Sequence, residues 1–287
     1  MGRVYLSLGY DTEKPTGMVN TKKGKEALKR KLAFMKEKLV ETLDNLDAPR
    51  TFFILGYHMK DSLRVFPKTT LREIFNKDNP LTEIQQHTYT HLIFREIDGR
   101  PVSTPEEFYE DVKKANQLIT KVLGVTPNAL RTPLGYPEDL SDMPEILEGL
   151  KLLGFQYVSS ELRSYESPIK GPLNHDKQPH RYENVGYPDI VEIPSHGWQD
   201  VIFLREYAEL FNEKIRTPDE IVEHYIGLFN KAEKMANEKS PVFVSLCLHP
   251  FAVMEYDPQM EIHKRIIDAA REKKIRLLTY GEVAERI

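Results

Sequence analysis

Short apolar runs of strand composition alternate along this chain with stretches of helical period, and ionisable residues gather where the runs end. The run from Arg3 to Tyr10 leads into Asp11-Thr12-Glu13, and Ala129-Leu130-Arg131 continues into Thr132-Pro133-Leu134-Gly135-Tyr136. Thr82 to Gln86 precedes His87-Thr88-Tyr89-Thr90-His91, and Val242 to Leu248 ends in His249-Pro250. A strand followed by a helix, repeated, requires a parallel sheet with crossover helices, because a tight turn cannot return a strand in parallel. In such sheets the carboxyl rim is where sites are assembled from several strands.

The helical stretches are bounded by recognisable signals. A long amphipathic helix is expected over Lys23 to Leu46, and a short one over Leu71 to Phe75. Pro105, capped by Ser103 or Thr104, opens a helix that runs to Leu123 and stops at Gly124. Further helices are expected from Pro144 to Leu153, Pro218 to Lys239 and Met260 to Lys273, with strands over Arg50 to Gly56, Phe155 to Ser159, Ile190 to Pro194 and Ile275 to Thr279. The basic stretch Lys22 to Lys38 carries Leu28, Leu32, Phe34, Met35 and Leu39 at helical spacing, which reads as a solvated helix face. Arg163 to Pro188 breaks the pattern. It reads either as a wall folded over the rim or as a surface connection. His175 and His180 within it are expected to be exposed, as are His58, His224 and His263.

A chain of 287 residues can bury roughly three-quarters of its unfolded surface in one core, so residues 1–287 are expected to form a single domain. With 40 basic against 44 acidic residues the net charge is −4, which offers no electrostatic case for nucleic acid or an anionic membrane. Cys247 has no partner for a disulfide. Buried in an apolar strand, it is read as a packing residue rather than a nucleophile paired with His249. No charged leader with a long apolar segment is visible, so the expectation is a soluble, cytoplasmic protein, with a homo-oligomer left open.

His87 and His91 are four residues apart, a spacing that lets two imidazoles meet at one divalent ion on a helical or tight turn. Thr88 stands where a zincin would need Glu, which excludes that metalloprotease pattern. A carboxylate with two imidazoles leaves an open coordination position suited to amide or ester hydrolysis. A second carboxylate can take a proton from water and a further His can give one to a departing amine; Asp11 and His249 fit these roles. Arg131, always charged, could hold Asp11 ionised and oriented.

In this order and at these separations the motifs resemble the polysaccharide deacetylase family, with its NodB homology domain, carbohydrate esterase family four. Asp11-Thr12-Glu13, His87 to His91, Arg131-Thr132-Pro133-Leu134-Gly135 and Leu246-Cys247-Leu248-His249 carry the resemblance. It implies a hydrolase that removes N-acetyl groups from a sugar or polysaccharide. Asp11 would be the general base, His249 the general acid, and Glu13, His87 and His91 the ligands of one divalent metal ion. Zinc suits those donors best, with cobalt, nickel and manganese as alternatives. The Leu134 N–H would help bind the oxyanion, with Tyr136 and Trp198 on the substrate side and Asp200 tuning the acid. The fold expected is a distorted (β/α) barrel with fewer than eight strands and its site at the carboxyl rim.

Three departures from the family pattern are visible. Asp-x-Glu replaces Asp-Asp, Leu134 stands where an aromatic is common, and His249-Pro250 resembles a branch that includes metal-independent cyclic-amide hydrolases of the allantoinase type. The alternatives are thus a cyclic-amide hydrolase and, third, a catalytically silent module that binds a glycan or protein.

Overall fold

β1, Val4–Thr12, is buried along its whole length, as a strand covered on both faces of a parallel sheet must be. The computed structural model describes residues 3–13, 20–97 and 99–287. The other strands are β2 Arg50–Ile54, β3 Thr82–Gln86, β4 Ala129–Tyr136, β5 Tyr157–Glu161, β6 Lys170–Gly171, β7 His180–Tyr182, β8 Tyr187–Glu192, β9 Gly197–Trp198, β10 Val242–Leu248 and β11 Arg276–Leu278. The helices are α1 Lys22–Phe34, α2 Glu41–Asn45, α3 Gly56–Ser62, α4 Lys68–Ile74, α5 Pro105–Leu123, α6 Pro144–Leu152, α7 Arg205–Leu210, α8 Pro218–Glu238, α9 Pro250–Tyr256, α10 Glu261–Glu272 and α11 Tyr280–Ala284. A π-helical segment, Met35–Val40, joins α1 to α2, so the helix expected over Lys23 to Leu46 is continuous but not uniform. The expected cap of α5 is present: Thr104 Oγ1 accepts from the Glu107 N–H, and Glu107 Oε2 from the Thr104 N–H.

The expected α/β architecture, a parallel sheet covered by helices, is what the chain adopts, but the main sheet has nine strands among the described residues rather than fewer than eight, because the short β7 and β11 add to it. Parallel pairing runs in the order β10-β1-β2-β3-β4-β5-β8, and β7 adds an antiparallel edge. β10 occupies one edge of β1 from Val4 to Tyr10; on the other, β11 pairs with Tyr5 to Ser7 and β2 takes over from Gly9 to Thr12. β7 and β11, at three residues each, are too short for an alternation to be read from sequence.

Strand periodicity sorts side chains to the two faces. Leu6, Leu8 and Tyr10 of β1, Phe52 and Ile54 of β2, and Val244, Leu246 and Leu248 of β10 join the large core beneath the helices. The opposite face forms a smaller core of Tyr5, Phe53, Ala129, Tyr157, Val191, Phe243, Leu278 and Tyr280. Continuing along that inner face toward the carboxyl rim, β1 presents Gly9 and Asp11, β4 Arg131 and β10 Cys247. The inner layer therefore changes from apolar to ionisable along the barrel.

Among the described residues, no backbone ladder joins β10 to the β7–β8 end of the sheet. Side chains complete the wall there. The Gln178 amide accepts from the Phe243 N–H at 2.8 Å and donates to its carbonyl at 3.2 Å. The His196 N–H donates to the Ser245 carbonyl at 2.7 Å, and His196 Nδ1 accepts from the Ser245 N–H at 3.0 Å. Thus the irregular interval Arg163 to Pro188 supplies part of the seam through Gln178, a role not expected for it.

The expected exposure of five histidines is corrected for most of them. His58 and His263 are buried, His263 because Asp257 accepts from its Nδ1 at 2.8 Å, a pairing the helical spacing conceals. His180 and His224 are half-buried, the first against Asp139 at 2.9 Å and the second beside Trp198. His175 is exposed. Lys31, within the supposed solvated face of α1, is fully buried with Nζ 3.0 Å from His58 Nε2.

Replacing Gln178 by Met keeps bulk but leaves the Phe243 N–H and carbonyl unpaired, which should cost about 1–3 kcal/mol. Urea unfolding at unchanged slope measures it; a loss below ~0.5 kcal/mol, the usual range for surface changes, would show that the seam holds without this amide.

Candidate active site

Asp11 lies near the end of β1 and Glu13 just beyond it, so both carboxylates reach the same side of the barrel mouth. Asp11 Oδ1 accepts from Arg131 Nη1 at 2.9 Å. Its Oδ2 lies 3.4 Å from Cys247 Sγ and 3.9 Å from His249 Nε2. Arg131 is fully buried and crosses the barrel; it also donates to the Gly9 carbonyl at 3.4 Å, to Ser195 Oγ at 3.3 Å and to the Tyr280 hydroxyl. A Cβ at Gly9 would sit 2.6 Å from Arg131 Nη2, so the crossing requires glycine there. Burial opposes the Arg131 charge, but the facing Asp11 carboxylate offsets this and lifts its pKa above the ordinary value.

His87 and His91 follow β3 in a turn rather than on a helix. Thr88 and His91 both have positive φ, 61° and 65°, a conformation that costs roughly 1–3 kcal/mol at a non-glycine residue. Hydrogen bonds hold it. Asp111 Oδ1 accepts from the Tyr89 N–H at 2.6 Å and the Thr90 N–H at 3.2 Å, and Oδ2 from Thr90 Oγ1 at 2.6 Å. The carbonyls of Thr88 and Tyr89 accept from the N–H groups of Gly56 and Tyr57.

The result is a second cluster beside Asp11. Glu13 Oε2 is 2.9 Å from His91 Nε2 and 3.8 Å from His87 Nε2, and the three residues offer ligand atoms within 4.8 Å of one another. His87 Nδ1 lies 2.9 Å from the Arg131 carbonyl, which accepts its proton and leaves Nε2 as a lone-pair donor facing Glu13. Burial lowers the His87 pKa to about 4. Burial alone would raise that of Glu13, but the nearby imidazoles, His91 foremost, bring it below the carboxylate range. Glu13 and His87 thus need lose no proton at neutral pH, and the three donors fit a single divalent cation.

Opposite stands His249, the residue that caps β10. Asp200 Oδ1 lies 2.7 Å from its Nδ1, and Asp200 Oδ2 accepts from its backbone N–H at 2.9 Å. Burial works against the imidazolium, yet Asp200, Asp11 and Glu13 raise the His249 pKa above the ordinary value. Asp200 lies in a short 3₁₀ turn, Asp200–Phe203, after β9.

Residues 32–158 match the polysaccharide deacetylase family. That span contains His87, His91 and Arg131 and bears out the resemblance read from the motifs; Asp11, Glu13, Asp200 and His249 lie outside it and join the site through geometry. No curated protein matches the chain. Among solved structures, a protein of Mycobacterium smegmatis assigned to the polysaccharide deacetylases superposes on 100% of this chain and 90% of its own, with TM-score 0.70 and 18% identity. An allantoinase does so over 99% and 90%, with 0.66 and 16%. A carbohydrate esterase family four pseudoenzyme of Bacillus anthracis covers 99% and 66%, with 0.50 and 15%. At such identities the likeness is one of fold.

The remaining residues expected at the site are spread out. Leu134, at φ 64°, sits on an irregular stretch of β4 with its carbonyl accepting from Arg163 Nη2 at 3.1 Å. Tyr136 is buried against Phe94 and under Arg95, in a core apart from the clusters above. Trp198 is half-buried, with Lys170 and Arg216 at 5.1 and 4.8 Å from its ring centre, so cations lie against the expected apolar wall. Sequence reading missed Asp111, Ser195 and Tyr280, which act through others and carry no motif. It also missed the Cys247 contact to Asp11, which alternation along β10 could have indicated.

Glu13→Gln, His87→Ala and His91→Ala should each weaken zinc binding by at least the ~10–100-fold that loss of an outer partner costs, while Asp11→Asn keeps near-stoichiometric metal. Elemental analysis after dialysis checks this. Full metal in both His variants would make the pair structural.

Proposed function

We propose that the chain is a metal-dependent hydrolase that removes N-acetyl groups from an N-acetylated sugar or polysaccharide. The observation that carries this reading is the adjacency of two differently specialised groups: the ligand set Glu13, His87 and His91, and the pair Asp11 and His249, whose Oδ2 and Nε2 are 3.9 Å apart. When bound by the first set, a divalent ion, by its donors most suitably zinc with cobalt, nickel or manganese as alternatives, supplies Lewis acidity for the amide carbonyl and for the attacking water.

The protein's own groups move the protons. Asp11, with Oδ1 committed to Arg131, is left to accept the water proton at Oδ2. His249, kept protonated by Asp200, gives its Nε2 proton to the departing sugar nitrogen as the carbon–nitrogen bond breaks. Acetate and a free amine result, and the proton taken by Asp11 returns to His249 through solvent. The Leu134 N–H is assigned to the developing oxyanion.

A silent module would be expected to have lost the base, a ligand or the acid; the chain keeps Asp11, Glu13, His87, His91 and His249, which supports the first reading. Opening of a cyclic amide could use the same base and acid. Acetate release from N-acetylglucosamine oligomers, abolished by chelator and restored by divalent metal, is the expected result. Metal-free protein that opens allantoin or a cyclic imide at full rate, with no acetate from any acetylated sugar, would replace the first reading by the second.

Asp11→Asn and His249→Ala should each lower kcat by on the order of 10²–10⁴ with metal retained; near-normal turnover in either would remove it from the mechanism. The acid must be protonated to act, so the rate falls as pH rises through the His249 pKa. Asp200→Asn removes the carboxylate that raises this pKa, and the alkaline limb of kcat should move to lower pH by on the order of one unit. An unmoved limb would assign it to another group.

A further inference from the structure

Beside the ligand set lies a second convergence of donors that neither packing nor the proton transfers above require in full. Asp11, Cys247 and His249 bring a carboxylate oxygen, a sulfur and a ring nitrogen within 4.8 Å of one another, and all three residues are buried. Oδ2 of Asp11 is 3.4 Å from Cys247 Sγ and 3.9 Å from His249 Nε2. A tetrahedral ion with bonds of about 2.0–2.3 Å sets its donors roughly 3.3–3.7 Å apart, so small side-chain shifts would close the set. The far side of the imidazole is already engaged by Asp200 at Nδ1, the outer arrangement that orients a metal-binding histidine through its other nitrogen.

The chemistry of this set differs from that of Glu13, His87 and His91. A sulfur donor selects zinc or cobalt over magnesium, calcium or manganese. Binding there needs a thiolate and an imidazole lone pair at Nε2, so the cation must compete with protons for these donors. Arg131 on Asp11 Oδ1 adds repulsion. Each of these makes the set weaker than the first, so it should fill second.

We propose that Asp11, Cys247 and His249 form an inhibitory metal site: once the first site is filled, excess zinc binds all three, the thiol proton passing to solvent, and withdraws the base and the acid from catalysis. This rests on the roles assigned to Asp11 and His249 under the proposed function.

The test is a titration of metal-free protein with Co²⁺, following near-ultraviolet absorbance and, in parallel with Zn²⁺, acetate release from N-acetylglucosamine oligomers. The first equivalent should raise the rate without a sulfur-to-cobalt charge-transfer band, and the second should bring that band while the rate falls. Cys247→Ser should lose the band and need about tenfold more zinc, or above, for the same fractional inhibition, each variant being referred to its own rate at one equivalent. His87→Ala should lose the band-free equivalent and keep the thiolate one. Inhibition without a thiolate band in wild-type protein, or inhibition unchanged in Cys247→Ser, overturns the proposal. A band with the first equivalent also overturns it, and moves the primary ion to this triad. Because the band is read without substrate, absence of acetate at every loading would overturn the deacetylase reading while leaving the metal site supported.

Discussion

Arg131 connects both halves of the site, and the rest of the arrangement depends on where it lies. Its guanidinium holds Asp11, its own carbonyl holds His87 Nδ1, and its flanks pack between the rings of Phe53 and Tyr280 at 4.3 and 4.8 Å. A guanidinium with no solvent exposure survives only if paired and hydrogen-bonded; removing one partner of such a pair costs about 3–5 kcal/mol because a bare charge is left behind. Asp11, the Gly9 carbonyl, Ser195 and Tyr280 together meet that requirement at the two terminal nitrogens, and they tie β4 to β1, to the segment after β8 and to α11. Orientation of the base and orientation of one metal ligand are thus consequences of a single buried cation.

The two halves of the rim are tuned in opposite directions by the same ingredients. At His87 burial, and at Glu13 the neighbouring imidazoles against burial, favour unprotonated donors, which a cation needs. Around His249, carboxylates outweigh burial and favour the proton, which an acid needs. Lys31, whose pKa is brought down to about 7 by burial against the pull of Glu13, carries only part of a positive charge at neutral pH. The strained turn carrying His91 belongs to the same logic. Its left-handed residues persist because Asp111 and α3 hold the intervening amides and carbonyls, so stability is exchanged for placement.

The barrel wall shows how a sheet can be completed without a further strand. Edge groups of β10 would otherwise be unpaired and buried, a cost comparable to a lost hydrogen bond for each. The Gln178 amide offers a donor and an acceptor, as a peptide does, and His196 offers one through its backbone and one through its ring. The long irregular segment is therefore constrained by the seam it closes.

Much of this was readable in the chain. Helix caps such as Thr104 with Glu107, the alternation along β1 and β10, and the spacing of His87 and His91 are local patterns, and local patterns follow from backbone geometry alone. They sufficed for the layered α/β architecture, the rim location and the residues that meet there. Short strands and the seam left no period to read, and buried His58, His263 and Lys31 looked like surface residues because their partners lie on other elements. Which carboxylate faces the imidazoles, which is held by arginine, and that a thiol lies against the base were decided only by the fold. Asp11 and Arg131 are 120 positions apart and Cys247 and Asp11 are 236, and contacts at such separations arise from packing, which no local pattern encodes.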